Sequence, residues 1–394
     1  MKRYIATYRD YLLDQVVPFW VRNSLDKEYG GYFTCLQRDG EVYDTDKFIW
    51  LQCREVWTFS MLYNEIRTEK EWLDAALLGA EFLLKHGRNL DGHWYFSLNQ
   101  KGEPLTEAYS IFSDCFASMA FAQLYKATGN DYYAGVAKAT FDKILERRHA
   151  PKGRFAKGYP GIRDMKGFSL PMILCNLVLE IEHLLDKDLV EKVLREGVHE
   201  VMDVFYKEEY GLILENVSVK GEVVDSFEGR LINPGHGLEA MWFVIDIAKR
   251  WKDKPLIDQC VKVILQLLEF GWDTEHGGIY YFRDIKDYPL QQLEWDQKLW
   301  WVHLEALVAV FKGYEVTNDT RLLDWMECLH DYVWNHFVDS EYGEMYGYLA
   351  RNGDPLFYSK GGKWKGFFHV PRALFQLWKT AERIEAKKQL RVIY

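Results

Sequence analysis

The chain has 394 residues, of which 48% are hydrophobic and 16% aromatic, and its formal net charge is −10. This composition predicts a globular protein with a large core. The acidic balance, with no basic stripe, argues against nucleic acid as a partner. No run of about 18 apolar residues is present, so the sequence predicts neither a transmembrane helix nor a membrane partner.

Six cysteines are scattered along the chain without a CxxC pair, at positions 35, 53, 115, 175, 260 and 328. This pattern predicts reduced thiols, and argues against a disulfide framework or a zinc site. The first residues soon become charged and lack the apolar core of a signal peptide. We therefore expect a cytoplasmic protein.

Twelve stretches have the apolar periodicity of helices. They form six units, each containing one helix, a long loop and a second helix, with short links between units. The predicted spans are 2–22, 46–67, 69–86, 108–128, 131–148, 165–184, 187–206, 234–250, 254–270, 296–315, 318–336 and 366–386.

A short aromatic motif recurs in these units at intervals of roughly 60 residues. It is clearest at 26–33 (DKEYGGYF), and weaker copies stand at 91–96, 208–214, 273–282 and 339–346, with 152–155 in the remaining slot. The glycine turn followed by aromatics predicts a β-hairpin. Since short links make neighbouring helices antiparallel, six helix pairs predict an all-α (α/α)6 barrel. The even-numbered helices form its inner ring, and residues 1–394 form a single domain.

The stretch 228–240 (EGRLINPGHGLEA) contains the first catalytic candidate. Asn233 suits a helix N-cap and Pro234 the first helical position, which puts His236 in the first turn of the eighth helix. The positive end of the helix dipole opposes a proton on the imidazole and favours the neutral form that a general base needs. Glycines on both sides of the histidine leave room for a ligand.

A second histidine, His369, opens the last helix, with Gly366 before it and Pro371 close to its start. Two histidines at helix N-termini could approach one substrate from opposite sides. The alternative is that His236 and His369 serve in capping or packing.

The topology brings the starts of all six inner helices to one rim. Arg54 lies near the start of the second helix, Lys157 in the loop before the sixth, and Glu305 on the tenth. Trp301 and other tryptophans fall close to the same rim. Because flat apolar faces beside charged hydrogen-bonding groups suit a sugar, we expect a sugar-binding cleft there.

Four stretches are long enough to be specific: 44–60 (DTDKFIWLQCREVWTFS), 228–240, 292–305 (QLEWDQKLWWVHLE) and 361–372 (GGKWKGFFHVPR). Together they resemble the N-acylglucosamine 2-epimerase family, also called renin-binding proteins. The resemblance implies an (α/α)6 barrel that interconverts N-acetyl-D-glucosamine and N-acetyl-D-mannosamine, a reaction of sialic acid metabolism. It also implies a homodimer.

The resemblance implies that His236 and His369 are the catalytic pair. Ring opening exposes an aldehyde that acidifies the hydrogen on C2, one histidine removes it to leave an enediolate, and the other returns a proton to the opposite face. Arg54 resembles the family's arginine near O1, where it would stabilise the oxyanion. Other matching polar residues are expected to bind hydroxyls or to hold the histidines: Lys157, Glu215, Glu228, Glu305 and Arg372.

His303, on the same helix as Glu305, is a candidate for assisting ring opening, and the alternative is a packed histidine of an inner helix. The chemistry needs no metal, and no motif for binding a metal or a nucleotide is present. Some family members use ATP as an allosteric activator and not as a reactant, so the resemblance leaves activation by ATP open here. The loop 360–366 is where phosphate contacts would be expected.

Four other functions remain open. Cellobiose 2-epimerases and aldose–ketose isomerases of the same family share the two histidines. An (α/α)6 glycoside hydrolase would use two carboxylates, and Glu228, Glu294, Asp296 and Glu305 could supply them, but it would leave the histidines unexplained. A non-catalytic binding protein would be expected to lack one of the pair.

Overall fold

A computed structural model of the chain describes residues 1–159 and 161–393. Its first helix, α1, comprises Lys2–Tyr11, a π-helical stretch at Leu12–Val16, and Val17–Asn23. Pro18 is the second residue after the π-helical stretch. A proline cannot donate to the preceding turn, and its ring would clash with a carbonyl there, which explains the local widening.

Eleven more helices follow in the described residues, and the predicted number of twelve is confirmed. They are α2 Ile49–Glu65, α3 Lys70–His86, α4 Ile111–Thr128, α5 Asp131–Arg147, α6 Ser169–Ile181, α7 Lys187–His199, α8 Pro234–Trp251, α9 Lys254–Gly271, α10 Trp300–Thr317, α11 Arg321–His336 and α12 His369–Ile393. Shorter helical segments are the 3₁₀ turns Gly153–Phe155 and Glu182–Leu184 and the π-helical stretch Glu200–Phe205.

The even-numbered helices form the inner ring, as predicted. In α2 and α10 nearly every side chain is buried, whereas α3 buries one stripe that includes Trp72, Ala76, Ala80 and Leu83. A helix buried on all sides stands between neighbours, and a helix with one apolar stripe faces solvent on the other side.

The inner helices pack in the order α2, α4, α6, α8, α10 and α12. The ring closes between α12 and α2, where Phe367 packs on Phe59 and Phe368 packs on Trp57. The Thr58 hydroxyl also donates a hydrogen bond of 2.6 Å to the carbonyl oxygen of Phe367. The predicted (α/α)6 barrel is therefore confirmed. No helix of the described residues has the length and apolarity that crossing a membrane requires.

Short antiparallel sheets fill the loops at the rim. The strands are β1 Cys35–Leu36, β2 Val42–Asp44, β3 Lys47–Phe48, β4 Ser97–Leu98, β5 Pro104–Thr106, β6 Met165–Gly167, β7 Tyr206–Lys207, β8 Leu212–Ile213, β9 Asn216–Ser218, β10 Leu231–Ile232, β11 Arg283–Asp284, β12 Lys298–Leu299 and β13 Tyr348–Leu349. They pair as β1–β2, β3–β4–β5, β6–β9, β7–β8, β10–β11 and β12–β13.

These strands correct several helix boundaries. The starts predicted at 46, 165 and 296 are too early, because β3, β6 and β12 occupy the residues before α2, α6 and α10. In β12, for example, Lys298 pairs with Leu349, and Trp300 then begins α10. The sheets therefore fix the N-termini of inner helices at the rim.

Five of the six predicted hairpins are confirmed by antiparallel pairing at the ends of outer helices. The sixth, at 152–155, is wrong, because a 3₁₀ turn occupies those residues. In three hairpins the aspartate that begins the motif binds a buried lysine: Asp26 binds Lys47, Asp273 binds Lys298, and Asp339 binds Lys360.

Candidate active site

The rim at the N-termini of the inner helices surrounds a cavity of about 560 Å³. Every inner helix contributes at least one side chain to its wall, so the predicted convergence at this rim is found. The contributing side chains are Trp50 and Arg54 of α2, Phe112 and Phe116 of α4, Ser169, Met172 and Ile173 of α6, His236 and Glu239 of α8, Trp300 and Trp301 of α10, and His369 of α12.

His236 is held in the first turn of α8 as predicted. Asn233 is the N-cap, and its side-chain oxygen accepts a hydrogen bond of 3.2 Å from the backbone N–H of His236. The neighbouring glycines do not make room for a ligand. A Cβ at Gly235 would lie 2.9 Å from the Trp301 ring, and one at Gly237 would lie 2.7 Å from Leu267. Both glycines therefore allow close packing of α8.

Glu215 binds the His236 ring from behind. Nδ1 of His236 lies 3.0 and 3.1 Å from the two carboxylate oxygens of Glu215. An ionised carboxylate can only accept, so Nδ1 carries the proton and Nε2 is the nitrogen left for a substrate. Burial lowers the pKa of His236, but the charge and hydrogen bond of Glu215 outweigh burial and raise the pKa above its usual value. The prediction of a neutral His236 from the helix dipole omitted this carboxylate.

His369 is the first residue of α12 and has a similar partner in Glu305. Its Nδ1 lies 2.8 Å from a carboxylate oxygen of Glu305. Here burial is the largest effect, and it lowers the pKa of His369 to about 3, with Arg54 and Arg372 adding to the decrease and Glu305 opposing it. His369 is therefore neutral at physiological pH.

Glu305 is fixed by three donors. Besides His369, Arg372 donates to it at 2.7 Å and the indole N–H of Trp242 donates at 2.8 Å. Burial alone would raise the pKa of Glu305, but Arg372 and His369 lower it to about 2. Arg372 also donates to Glu239 of α8.

Glu239, Glu305 and His369 place possible metal-ligand atoms within 4.8 Å of one another. The Arg372 guanidinium already bonds both carboxylates and supplies the positive charge that a metal would bring. This arrangement favours an arginine-centred cluster over a metal site.

Trp301 lies between the two histidines. Its ring centroid is 5.1 Å from that of His236 and 5.8 Å from that of His369, tilted by 36° and 34°. The two imidazoles are therefore separated by no more than the sum of these distances. A flat aromatic wall between two acid–base groups is a surface on which a sugar carbon could lie.

Arg54 is a buried cation on the same wall without a carboxylate partner in the described part of the chain. Its guanidinium lies 3.9 Å from the ring centroid of Phe116 and 4.7 Å from that of Phe368. Burial, with a smaller contribution from Arg372, lowers its pKa to about 9. Nε has no hydrogen-bond partner, so Arg54 has donor capacity left for a ligand.

Several predicted substrate-binding residues do not reach the cavity. Lys157 is exposed in the loop before α6, and Glu228 is exposed and lies 3.7 Å from Arg163. Glu215, Glu305 and Arg372 lie behind the histidines, where they hold the rings or each other. Of the binding residues named from the sequence, the structure places Arg54 and Trp301 on the wall.

His303 is also away from the cavity. It is fully buried, its Nε2 accepts a 2.8 Å hydrogen bond from the Ile279 backbone, and its Nδ1 lies 2.7 Å from the Leu299 carbonyl. Burial lowers its pKa to about 3. Both nitrogens are occupied, so His303 joins a hairpin to α10 and the ring-opening assignment is wrong.

The loop 360–366 offers little for phosphate. Lys360 is buried against Asp339, and Lys365 is buried against Glu344, each in a salt bridge. Of the three lysines in this loop, Lys363 alone lies over the aromatic rings of Phe96 and Trp364.

The sequence interpretation missed Glu239 as a cavity residue. It lies three positions after His236, a spacing that puts both side chains on one face of α8, and this was the available signal. Tyr281 and Tyr348 on the wall were also missed. They come from loops, where no periodicity indicates which side chains face inward.

The fold and the cavity together define an (α/α)6-barrel enzyme with paired acid–base groups. Residues 31–373 match the family model described as N-acylglucosamine 2-epimerase (GlcNAc 2-epimerase). The chain belongs to that family and is a sugar epimerase, an isomerase.

Two relatives and one solved structure show the extent of the similarity. The N-acylglucosamine 2-epimerase of Rattus norvegicus is 40% identical over 92% of this chain and 88% of its own length. The Homo sapiens enzyme of the same name is 38% identical over 92% and 86%. The structure of cellobiose 2-epimerase from Bacillus thermoamylovorans superposes with a TM-score of 0.83 at 20% identity, covering 96% of this chain and 100% of that one, and so supports the fold.

Proposed function

We propose that the enzyme interconverts N-acetyl-D-glucosamine and N-acetyl-D-mannosamine by exchanging the hydrogen on C2 between two histidines. The observation that carries this proposal is the pair of histidines, each backed by a glutamate, on either side of Trp301 in one cavity. Inversion at a carbon needs acid–base groups on both faces, and this arrangement supplies them.

The different environments of the two rings support a division of roles. Since burial lowers the pKa of His369 to about 3, this histidine is neutral and can remove the C2 hydrogen as a base. Glu215 raises the pKa of His236, which favours the protonated ring that delivers a proton to the opposite face. After one turnover the protonation states are exchanged, and the reverse reaction starts from that state.

Arg54 completes the proposed mechanism. Removal of the C2 hydrogen from the open-chain sugar puts negative charge on O1, and a buried cation with an unpartnered Nε can stabilise that charge. Removing one such donor typically costs about 3 to 4 kcal/mol of transition-state stabilisation. Arg54 is packed between aromatic rings, so its guanidinium is already in position when the oxyanion forms.

The identity to N-acylglucosamine 2-epimerases, near 40%, supports the N-acyl substrate over cellobiose or a ketose, for which the structural likeness is only 20% identical. The proposal includes a homodimer, a cytoplasmic location, a place in sialic acid metabolism and activation by ATP. Analytical ultracentrifugation, and rates measured with and without ATP, test the first and last of these.

The decisive test is incubation with N-acetyl-D-mannosamine in D₂O. We expect NMR to detect deuterium at C2 together with the appearance of N-acetyl-D-glucosamine. Epimerisation of cellobiose, formation of a ketose, hydrolysis of a glycoside, or no exchange at C2 would each contradict the proposal.

A further inference from the structure

One arc of the cavity wall is apolar. It is formed by Phe112 and Phe116 of α4 and by Met172 and Ile173 of α6. All four side chains except that of Phe112 are buried. No charged group of α4 or α6 is among the lining residues, whereas α2 and α12 each contribute one titratable side chain and α8 contributes two.

The order of the inner helices fixes where this arc lies relative to the histidines. His236 on α8 and His369 on α12 stand on either side of α10, which carries Trp301. In a ring of six, α4 is opposite α10, and α6 is next to α8. The apolar arc therefore faces Trp301 across the cavity.

The chemistry at C2 limits which part of the substrate can face this arc. In the enediolate, C2 is planar, and the two histidines approach it from opposite faces. Its substituents must then lie in the plane between α8 and α12, and this plane runs from Trp301 towards α4. The nitrogen on C2 lies in this plane, and rotation about its bonds lets the acyl group beyond it turn towards α6, on the side away from Arg54 of α2, which takes the oxygen on C1.

The hydroxyl groups on the remaining sugar carbons need hydrogen-bonding partners, which the apolar arc lacks. Polar side chains stand instead on the loops before α10 and α12, where Tyr281, Glu294, Gln297 and Tyr348 line the cavity. A hydroxyl held against Met172 and Ile173 would lose its bonds to water without replacement. The arc thus suits a group that is apolar at its end.

Ser169 adds a polar atom to one side of the arc. It is the first residue of α6, it lines the cavity, and it is partly exposed. Met172 and Ile173 follow at three and four positions, so one turn of α6 presents a hydroxyl beside two apolar side chains. An acyl group has the matching form, with a carbonyl oxygen next to an alkyl end.

We propose that Ser169, Met172 and Ile173, together with Phe112, form the subsite that binds the acyl group on C2 and selects N-acylated sugars over sugars with a free hydroxyl there. The Ser169 hydroxyl donates to the acyl oxygen, and the apolar side chains pack against the acyl methyl. This inference rests on the proposed function, since it assigns part of the same cavity.

The test is a series of substrates that differ only in acyl length: N-acetyl-, N-propanoyl- and N-butanoyl-D-mannosamine. Replacing Ile173 by alanine enlarges the subsite, so Ile173→Ala is expected to raise the ratio of kcat/KM for the butanoyl sugar to that for the acetyl sugar by about tenfold, the effect of one or two methylenes in an apolar pocket. The matched control is Ile162→Ala, since Ile162 is exposed and does not line the cavity. Its ratio should equal that of the wild type.

If Ile173→Ala does not fold, as judged by circular dichroism and thermal unfolding, Met172→Ala serves the same purpose with the same expected change. Ser169→Ala tests the polar part, and it should lower kcat/KM for all three sugars by about fivefold without changing their ratio, because it removes one neutral hydrogen bond. Ser226→Ala, which alters an exposed serine bonded to Glu228, is its control.

The outcomes separate this inference from the proposed function. A wild-type enzyme that exchanges no C2 hydrogen in any N-acyl sugar contradicts the function itself. A wild-type enzyme that is active, with an unchanged length ratio in the folded Ile173→Ala or Met172→Ala variant, overturns the subsite and leaves the function standing. An unchanged kcat/KM in Ser169→Ala overturns the role of the hydroxyl.

Discussion

Glu215 and Glu305 both accept a hydrogen bond from the Nδ1 of a histidine, but the two carboxylates have different neighbours. Glu305 is 1% exposed and shares its charge with Arg372, and the side chain of His369 is 11% exposed. Glu215 is 11% exposed, and the His236 side chain is 25% exposed. Within the described residues Glu215 has no lysine or arginine partner, whereas much of the charge of Glu305 is offset by Arg372.

The difference shows that a histidine–glutamate pair does not by itself define a base or an acid. Burial dominates at His369 and lowers its pKa, and the carboxylate dominates at His236 and raises its pKa. Two similar pairs thus shift the pKa values of their histidines in opposite directions in one cavity, which suits a reaction that takes a proton from one face and returns one to the other.

Removing either histidine should have the largest effect on the rate of epimerisation. His236→Asn and His369→Asn are each expected to lower the rate of epimerisation by about 10²- to 10⁴-fold, the usual contribution of a positioned acid or base. Each variant keeps one base, so each should still exchange the C2 hydrogen of one epimer without inverting it, and the two variants should act on opposite epimers. NMR in D₂O with each pure epimer measures this. Normal epimerisation by either variant would contradict the two-base mechanism.

Arg54 lies on the His369 side of the cavity. Its replacement should have the second-largest effect on activity. Arg54→Gln is expected to lower kcat by about 10²- to 10³-fold, because the developing oxyanion loses its cation. Steady-state kinetics with N-acetyl-D-mannosamine measure the change. Arg163→Gln alters an exposed arginine near Glu228, and it should retain normal kcat. A raised KM with an unchanged kcat would show that Arg54 acts in substrate binding and not in catalysis.

The two glutamates should differ in their effect on stability. Glu305→Gln leaves the buried Arg372 with only Glu239 as its partner, and breaking such a pair typically costs about 3 to 5 kcal/mol of unfolding free energy. Among the residues that the structure describes, Glu215 forms no ion pair with a lysine or arginine, so Glu215→Gln should cost less. Urea unfolding of the two variants compares them directly. Equal losses would show that Arg372 is not what distinguishes the pairs.

The pH dependence tests the electrostatic difference itself. Glu215 raises the pKa of His236, and the protonated ring is the proposed proton donor, so kcat/KM should fall as the pH rises through that pKa. Glu215→Gln removes the raising effect and should move this alkaline limb to lower pH. The shift should be the same in both reaction directions, because the equilibrium between the epimers does not depend on pH. An unmoved limb would show that a different group titrates there.

Glu228 should give the smallest effect, because the structure places it outside the cavity. Glu228→Gln is expected to change kcat/KM by less than about twofold, as expected for an exposed ion pair. The same assay as for Arg54 measures this change. A large loss would show that the loop around Glu228 comes to the substrate during turnover.

The helices and their order could be predicted from the sequence because apolar periodicity and recurring turns are local signals. The two histidines could be placed at one rim for the same reason, since Asn233 and Pro234 mark the start of α8. Boundaries next to β3 and β12 could not be predicted, because two-residue strands are defined by partners far along the chain.

The roles of charged residues were harder to predict than their positions. The sequence left two roles open for Glu305 and Arg372, binding sugar hydroxyls or holding the histidines, because the three-way contact with His369 forms only when α10 and α12 are packed together. His303 lies in the first turn of an inner helix as His236 does, yet its two nitrogens are occupied by the backbone of Ile279 in a hairpin and of Leu299, the residue before α10. Whether a polar side chain meets solvent, ligand or another side chain depends on these distant contacts.

The closure of the ring has a consequence for how the enzyme is made. The Trp20 indole binds Glu344 across 324 positions, and Thr58 binds Phe367 across 309. During synthesis the faces of α2 and α10 that pack against α12 stay uncovered until α12 has left the ribosome. Such long-range contacts form slowly, and the exposed faces are open to aggregation meanwhile. Since His369 opens that last helix, a nascent chain acquires its second acid–base group only in the step that seals the barrel.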